Sequence, residues 1–211
     1  MTITVFGATG QVGLQLVKQA LAKGHTVRAF GRSVLDMIDE DLRNDKLEAI
    51  KGYVFDEKEV YEAVKGSDAV LSALGGSFDG TDKTRSLGLK NIVTQMEKAK
   101  VNRIVAVGGL GILNADEDTM IIDTPNYPEM YLPVGKEHLK AYFILQASTL
   151  DWTFVCSPDI INAEATGIFH TNANYPPQPN SNKINAGDLA MFMLNELEQN
   201  KYINQRVGIS N

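Results

Sequence analysis

Gly7, Gly10 and Gly13 follow a short β-branched run, Ile3-Thr4-Val5-Phe6, and precede an amphipathic helical pattern. Each glycine has a physical use at its place. Gly7 lets the chain leave a strand in a sharp turn. Gly10 lets backbone approach a ligand with no Cβ in the way, and Gly13 lets a helix lie close on the strand. Thr9, Gln11 and Val12 fill the positions between. A strand, a glycine turn and a helix N-terminus in this order make an anion site, because free N–H groups and the positive end of the helix dipole both face it. The context, more than the glycines alone, points to the pyrophosphate of a dinucleotide.

A site of this type places Asp or Glu at the end of the second strand, about 20 residues on, when it holds an unphosphorylated ribose. Here that strand end reads Ala29-Phe30-Gly31-Arg32-Ser33, and the first acid after it is Asp36. Arg32 offers a planar fork of donors to a 2′-phosphate, and Ser33 adds a hydroxyl. NADP(H) is therefore the expected nucleotide. Arg28 points the other way along the strand and is the weaker candidate.

The elements that must position these residues alternate from end to end. β-like runs fall at 2–6, 26–30, 47–54, 69–74, 103–107, 152–156 and 206–209. Helix-like runs fall between them at 11–23, 57–65, 85–100, 134–148 and 188–200. In the first helix Val12, Leu16, Val17 and Ala20 form one apolar stripe, and Gly24 follows its last turn. The early strands are nearly continuous apolar runs, as in a parallel sheet covered on both faces. The pattern predicts an α/β fold with a doubly wound parallel sheet, as one domain over 1–211, with its ligand at the carboxyl ends of the strands where the order reverses. Two long connections interrupt the rhythm, 108–133 and the polar, loop-like 162–183, which contains Tyr175-Pro176-Pro177-Gln178-Pro179. Both are expected on the rim of the glycine turn as walls of a substrate cleft.

The bulk numbers narrow the function classes. The chain has 211 residues, with 44% hydrophobic and 22% charged. No apolar run has the length to span a bilayer. The first strand starts beside Met1, which leaves no room for a signal peptide, so the expected compartment is the cytoplasm. Cys156 is the lone cysteine, which excludes an internal disulfide framework and a multi-cysteine metal site. It and Trp152 lie on one predicted strand and are expected in the core. Net charge is −6 and the basic residues form no strip, so nucleic acid is not an expected partner. The Asp116-Glu117-Asp118 cluster reads as a solvated loop, and no metal is expected. Expected partners are a small-molecule substrate and either a second copy of the chain or another protein.

Several stretches carry a family resemblance: Gly7–Gly13, Ser67-Asp68-Ala69-Val70-Leu71, Lys90-Asn91-Ile92-Val93, Arg103-Ile104-Val105-Ala106-Val107, Leu150-Asp151-Trp152-Thr153-Phe154-Val155 and Ile184-Asn185-Ala186-Gly187-Asp188-Leu189-Ala190. Together they span nearly the whole chain. It resembles an atypical short-chain dehydrogenase/reductase, closest in type to the NAD(P)H-binding group that includes biliverdin-IX-beta reductase (flavin reductase) and NmrA-like proteins. The resemblance implies that Gly7, Thr9, Gly10, Gln11, Val12 and Gly13 wrap the pyrophosphate and that Arg32 and Ser33 hold the 2′-phosphate. It implies that Ala73, Leu74 and Gly75, with Gly76, lie beneath the nicotinamide ribose. Val107, Gly108 and Gly109 would flank the nicotinamide, and Ser157 and Pro158, with Asp159, its carboxamide. At the adenine, where many relatives have Gly-Asp, this chain has Gly52-Tyr53, so backbone contacts, Val54 or the Tyr53 ring take that place.

The usual reductases of that superfamily use a Ser–Tyr–Lys set, with Tyr and Lys one helical turn apart so that the Lys lowers the Tyr pKa. This chain lacks it. Tyr131 is followed four residues on by Gly135, and Gly108-Gly109 stands where the serine is expected, offering space and backbone N–H groups. Two readings follow. One is an NADPH-dependent reductase whose acceptor is flat and conjugated (a flavin, quinone or tetrapyrrole), so that water supplies the proton. Tyr131, Lys136 and His138 are then the candidates to line the site or donate a proton, with His138 able to titrate near neutral pH. The other is a non-catalytic NADP(H) sensor of NmrA-like type that signals to a partner. An epimerase is disfavoured, because that chemistry still needs the Tyr–Lys pair.

Overall fold

The computed structural model describes residues 1–37, 42 and 44–211. The chain begins with β1 (Thr2–Phe6), α1 (Gln11–Ala22), β2 (Thr26–Gly31) and β3 (Leu47–Lys51). It continues through α2 (Glu57–Val64), β4 (Ala69–Ser72), α3 (Leu89–Ala99), β5 (Arg103–Gly109), α4 (Leu132–Gln146) and β6 (Asp151–Ser157). The last part holds β7 (Asp159–Ile161), β8 (His170–Ala173), β9 (Lys183–Asn185), α5 (Ala186–Gln199) and β10 (Gln205–Ser210).

The main sheet has eight strands in the order β3-β2-β1-β4-β5-β6-β10-β8. Every neighbouring pair is parallel except β10 with β8, which is antiparallel. Strands β7 and β9 form a separate parallel pair. The order reverses between β1 and β4, so a crevice opens at their carboxyl ends. Side chains alternate across β1. Ile3 and Val5 join α1 and α5 in one buried cluster, while Phe6 joins α2, α3 and α4 in the other. The doubly wound α/β expectation is met, with helices on both faces.

Element ends depart from the periodicity for local reasons. The third strand stops at Lys51 and not at Val54, because Gly52 lies against the Phe30 ring and the Asp56 side chain caps α2 by accepting from the Glu59 N–H. The predicted helix 85–100 divides into a π-turn over Thr84–Gly88 and then α3. Segment 162–183 is not a plain loop. It contains β8, which lines the sheet edge and carries no apolar alternation that would announce it. Asp188 holds the preceding chain by accepting from the Thr166 and Gly167 N–H groups, both at 2.8 Å. Segment 108–133 is tied down by Arg206, which donates to the Ile112 carbonyl and to Asn114.

The first turn of α1 is seated directly on the end of β1. A Cβ at Gly13 would lie 2.0 Å from the Gly7 oxygen, whereas one at Gly10 would find its nearest neighbour at 3.4 Å. Gly13→Ala is therefore expected to cost about 2–3 kcal/mol and lower the melting temperature by roughly 5–10 °C. Gly10→Ala, at an ordinary φ of −79°, should stay within about 2 °C of the parent. Thermal unfolding of the two variants checks the pair, and equal losses would contradict this packing.

Candidate functional site

One large cleft, about 1070 Å³, runs along the carboxyl ends of the strands. At one end lie Gly7, Thr9, Gly10, Gln11 and Val12. Gly7 adopts a φ of +74°, and a Cβ there would also meet the Ala73 carbonyl at 2.4 Å. Its oxygen accepts from the Gly10 N–H at 3.0 Å, which closes the turn. No side chain caps the N-terminus of α1, and no acidic residue stands in its first turn. The leading N–H groups of this helix are thus left for an anion, and the residues present fit a pyrophosphate. Gly13 is not in the cleft lining; its role is the close packing beneath.

Arg32 lines the same end, is exposed, and makes no hydrogen bond or ion pair among the described residues. Ser33 does not line the cleft; its carbonyl accepts from the Asp36 N–H as the chain turns away. Arg28 is engaged elsewhere, donating to Glu48 and to the Lys65 carbonyl. Phe30, Tyr53, Val54 and Phe55 wall the adjoining part of the cleft.

Ala73, Leu74 and Gly75 continue the lining past β4, and Val107, Gly108 and Gly109 at the end of β5. Ser157 and Pro158 follow from β6, with the Ser157 hydroxyl donating to the Gly108 carbonyl at 3.1 Å. The glycine pair does not leave open space, as the sequence suggested. A Cβ at Gly108 would strike the Phe154 ring at 2.7 Å, and one at Gly109 the His138 ring at 2.7 Å.

The remaining lining includes Leu110, Ile112, Ile121, Tyr127, Pro128, Tyr131, Val134 and His138, together with Phe78 and Arg85. Segment 108–133 supplies six of these and α4 supplies Val134 and His138. Segment 162–183 contributes only Asn182, so it is not a second wall. Tyr127 sits between two glycines: a Cβ at Gly111 or at Gly135 would lie 2.8 Å from its hydroxyl. Burial raises the Tyr127 phenol above its ordinary value, with a contribution from Tyr131. The position a turn beyond Tyr131, where a catalytic lysine is absent, is thus filled in space by the Tyr127 ring.

Of the proton-donor candidates, Tyr131 and His138 reach the cleft and Lys136 does not. Tyr131, Val134, Gly135 and His138 recur at helical spacing on one face, which leaves Lys136 exposed on the other. His138 does not titrate near neutrality. Burial, and after it the charge of Arg85, push it down to about 3, against a smaller opposing pull from Glu137. Arg85 itself donates to the Gly76 and Ser77 carbonyls and stands over the Phe78 ring.

Sequence reasoning did not single out Glu137, in the run Lys136-Glu137-His138-Leu139-Lys140. It is buried, and it bridges Lys83 at 3.1 Å and Lys140 at 2.8 Å while accepting from the Ser86 hydroxyl. The network clamps the π-turn that carries Arg85 onto α4. Cys156 and Trp152 are buried, as expected. Among the described residues no cluster suits a metal ion. None of their helices is long and apolar enough to cross a membrane.

A doubly wound sheet with an uncapped glycine turn at its switch point defines a dinucleotide-binding Rossmann protein. The sequence matches the NAD(P)H-binding family over residues 7–200, and the chain belongs to that family. It is 28% identical to the YwnB protein of Bacillus subtilis, over 99% of this chain and 98% of that one. A proposed NADH-flavin reductase from Streptococcus pneumoniae is 28% identical with a TM-score of 0.85, covering 100% of this chain and 99% of its own. A proposed epimerase from Bacteroides thetaiotaomicron is 29% identical with a TM-score of 0.85, covering 99% and 96%. The different activities attached to these relatives leave the reaction to be argued from the cleft.

Burial alone would raise Glu137, but hydrogen bonds from Lys140, Ser86 and Lys83 and the charge of Lys140 hold it down at about 2, from an ordinary 4.5. A carboxylate held low stabilises the fold fully above 4.5, and that stabilisation is lost as pH falls toward 2. Glu137→Gln should therefore be less stable than the parent at neutral pH and lose less on acidification. Urea midpoints at neutral pH and in this acid range measure it, and identical acid profiles would contradict the assignment.

Proposed function

We propose that the protein is an NADPH-dependent reductase of a flat conjugated acceptor of flavin, quinone or tetrapyrrole type. The observation that carries this reading is the continuity of the cleft. One end offers uncapped helix N–H groups and an unengaged arginine, and the other offers aromatic and aliphatic walls. Its volume of about 1070 Å³ is above the roughly 300–1,000 Å³ common for a single ligand site. Bound NADPH supplies a hydride. The chain's own residues bind and orient: the first turn of α1 takes the pyrophosphate, Arg32 takes the 2′-phosphate, and Tyr127, Tyr131 and Ile121 wall the space for a planar acceptor. A conjugated acceptor spreads the negative charge it receives, so orientation supplies most of the catalysis and no Tyr–Lys pair is needed. The filled position beside Gly135 argues against a reductase of the Tyr–Lys kind.

Arg32 is the choice between nucleotides. Charge-assisted bonds of this type contribute about 1.5–3 kcal/mol. Arg32→Gln is expected to weaken NADPH about 10–100-fold and NADH by no more than about twofold. Titration calorimetry with both nucleotides tests it, and parallel losses would end the NADPH assignment.

The activity itself is tested by following NADPH absorbance with FMN, riboflavin, a naphthoquinone and biliverdin in turn. Saturable turnover with at least one is expected. Tight NADPH binding with no turnover of any would favour the second reading, a nucleotide sensor, for which the absent Tyr–Lys pair is the supporting observation.

A further inference from the structure

His138 has an unusual setting for a polar side chain at the wall of a cleft. Among the described residues neither ring nitrogen has a hydrogen-bond partner, and Nδ1 is fully buried. Nε2 is therefore the nitrogen with access to the cleft. The ring lies flat against Gly109, whose missing Cβ makes the room, and near the Phe154 ring at 6.5 Å between centroids.

The tautomer follows from burial. A buried N–H with no acceptor is rarer and costlier than a buried lone pair with no donor. Nδ1 thus carries the lone pair and Nε2 the proton. The imidazolium form is disfavoured, with only the Glu137 carboxylate pulling toward it. It would bury a second N–H without a partner, and Arg85 on the π-turn repels it. The Glu137 carboxylate on α4 is already neutralised by Lys83 and Lys140. Strand β5 presents Gly109 and β6 the Phe154 ring, and Tyr127 and Tyr131 line the same cleft from segment 108–133.

We propose that His138 is the hydrogen-bond donor of the acceptor end, its Nε2–H meeting the oxygen or ring nitrogen on which negative charge gathers as a conjugated carbonyl or imine is reduced. The proposal rests on the reductase reading and narrows it to acceptors that carry such an atom. The electron count is simple. The acceptor gains a hydride and becomes an anion, NADPH leaves as NADP⁺, and a proton from water completes the reduction. His138 keeps its own proton throughout and acts as an electrostatic group, in the manner of an oxyanion-hole donor.

The test begins without turnover. In protein labelled with ¹⁵N in its histidine rings, the His138 signals, assigned by their loss in His138→Gln, should show one neutral tautomer, protonated at Nε2, from pH 8 down to about 5. Adding riboflavin or a naphthoquinone to the NADP⁺-loaded protein should shift the Nε2 resonance. In turnover, His138→Phe should lower kcat roughly 100-fold with NADPH affinity unchanged, and His138→Gln, which keeps an N–H, should recover part of it. A proton on Nδ1, an imidazolium near pH 6–7, or full turnover by a folded His138→Phe would overturn the proposal. If the parent protein reduces no acceptor, the reductase reading fails by itself. The tautomer and the resonance shift then decide whether His138 is a donor to ligands in the cleft.

Discussion

The space beside the Gly7 carbonyl, which a Cβ at Gly13 would overlap, is the constraint on which the cleft depends. Only a residue without a Cβ lets α1 come down this far onto the end of β1, and Gly7 must in turn adopt a left-handed φ beside the Ala73 carbonyl. The result points an uncapped helix terminus into the reversal between β1 and β4. A helix with a capping side chain or an early acid would have met its own needs there. This one leaves them to a ligand, which ties the first dozen residues to nucleotide binding through backbone geometry more than through any side chain.

The opposite end is built by a similar device used differently. Gly108, Gly109, Gly111 and Gly135 line the cleft and make room for the rings of Phe154, His138 and Tyr127. The cleft wall is thereby aromatic and fixed. Its one imidazole is neutral because burial and the nearby Arg85 outweigh the pull of Glu137, a buried carboxylate paired with two lysines. Such a wall offers little acid strength, in keeping with the proposed acceptors, which stabilise their own charge.

Much of this was legible in the chain. Alternating apolar runs and the glycine turn specify the sheet order's reversal and the phosphate end, since backbone requirements leave a local signature. The end of β2 likewise names Arg32 by the absence of an acid. Helical spacing from Tyr131 would also have separated His138 from Lys136, a reading the periodicity permits but composition obscures. Other features have no local signal. The burial of Glu137 depends on Lys83 and Ser86, some 50 residues away. The low value of His138 depends on burial by other elements and then on Arg85, and Tyr127 owes its seat to glycines on two separate elements. Strand β8 is polar because it closes a sheet edge, so alternation does not reveal it.

The central claim is that one cleft is divided into a nucleotide end at β1 and β2 and an acceptor end between segment 108–133 and α4. A crystal structure of the protein with NADP⁺ tests it most directly. The account predicts pyrophosphate on the first turn of α1, the 2′-phosphate against Arg32, and the nicotinamide beside Val107–Gly109 with the aromatic end still open. A dinucleotide reversed in the cleft, or one whose 2′-phosphate faces solvent away from Arg32, would contradict it.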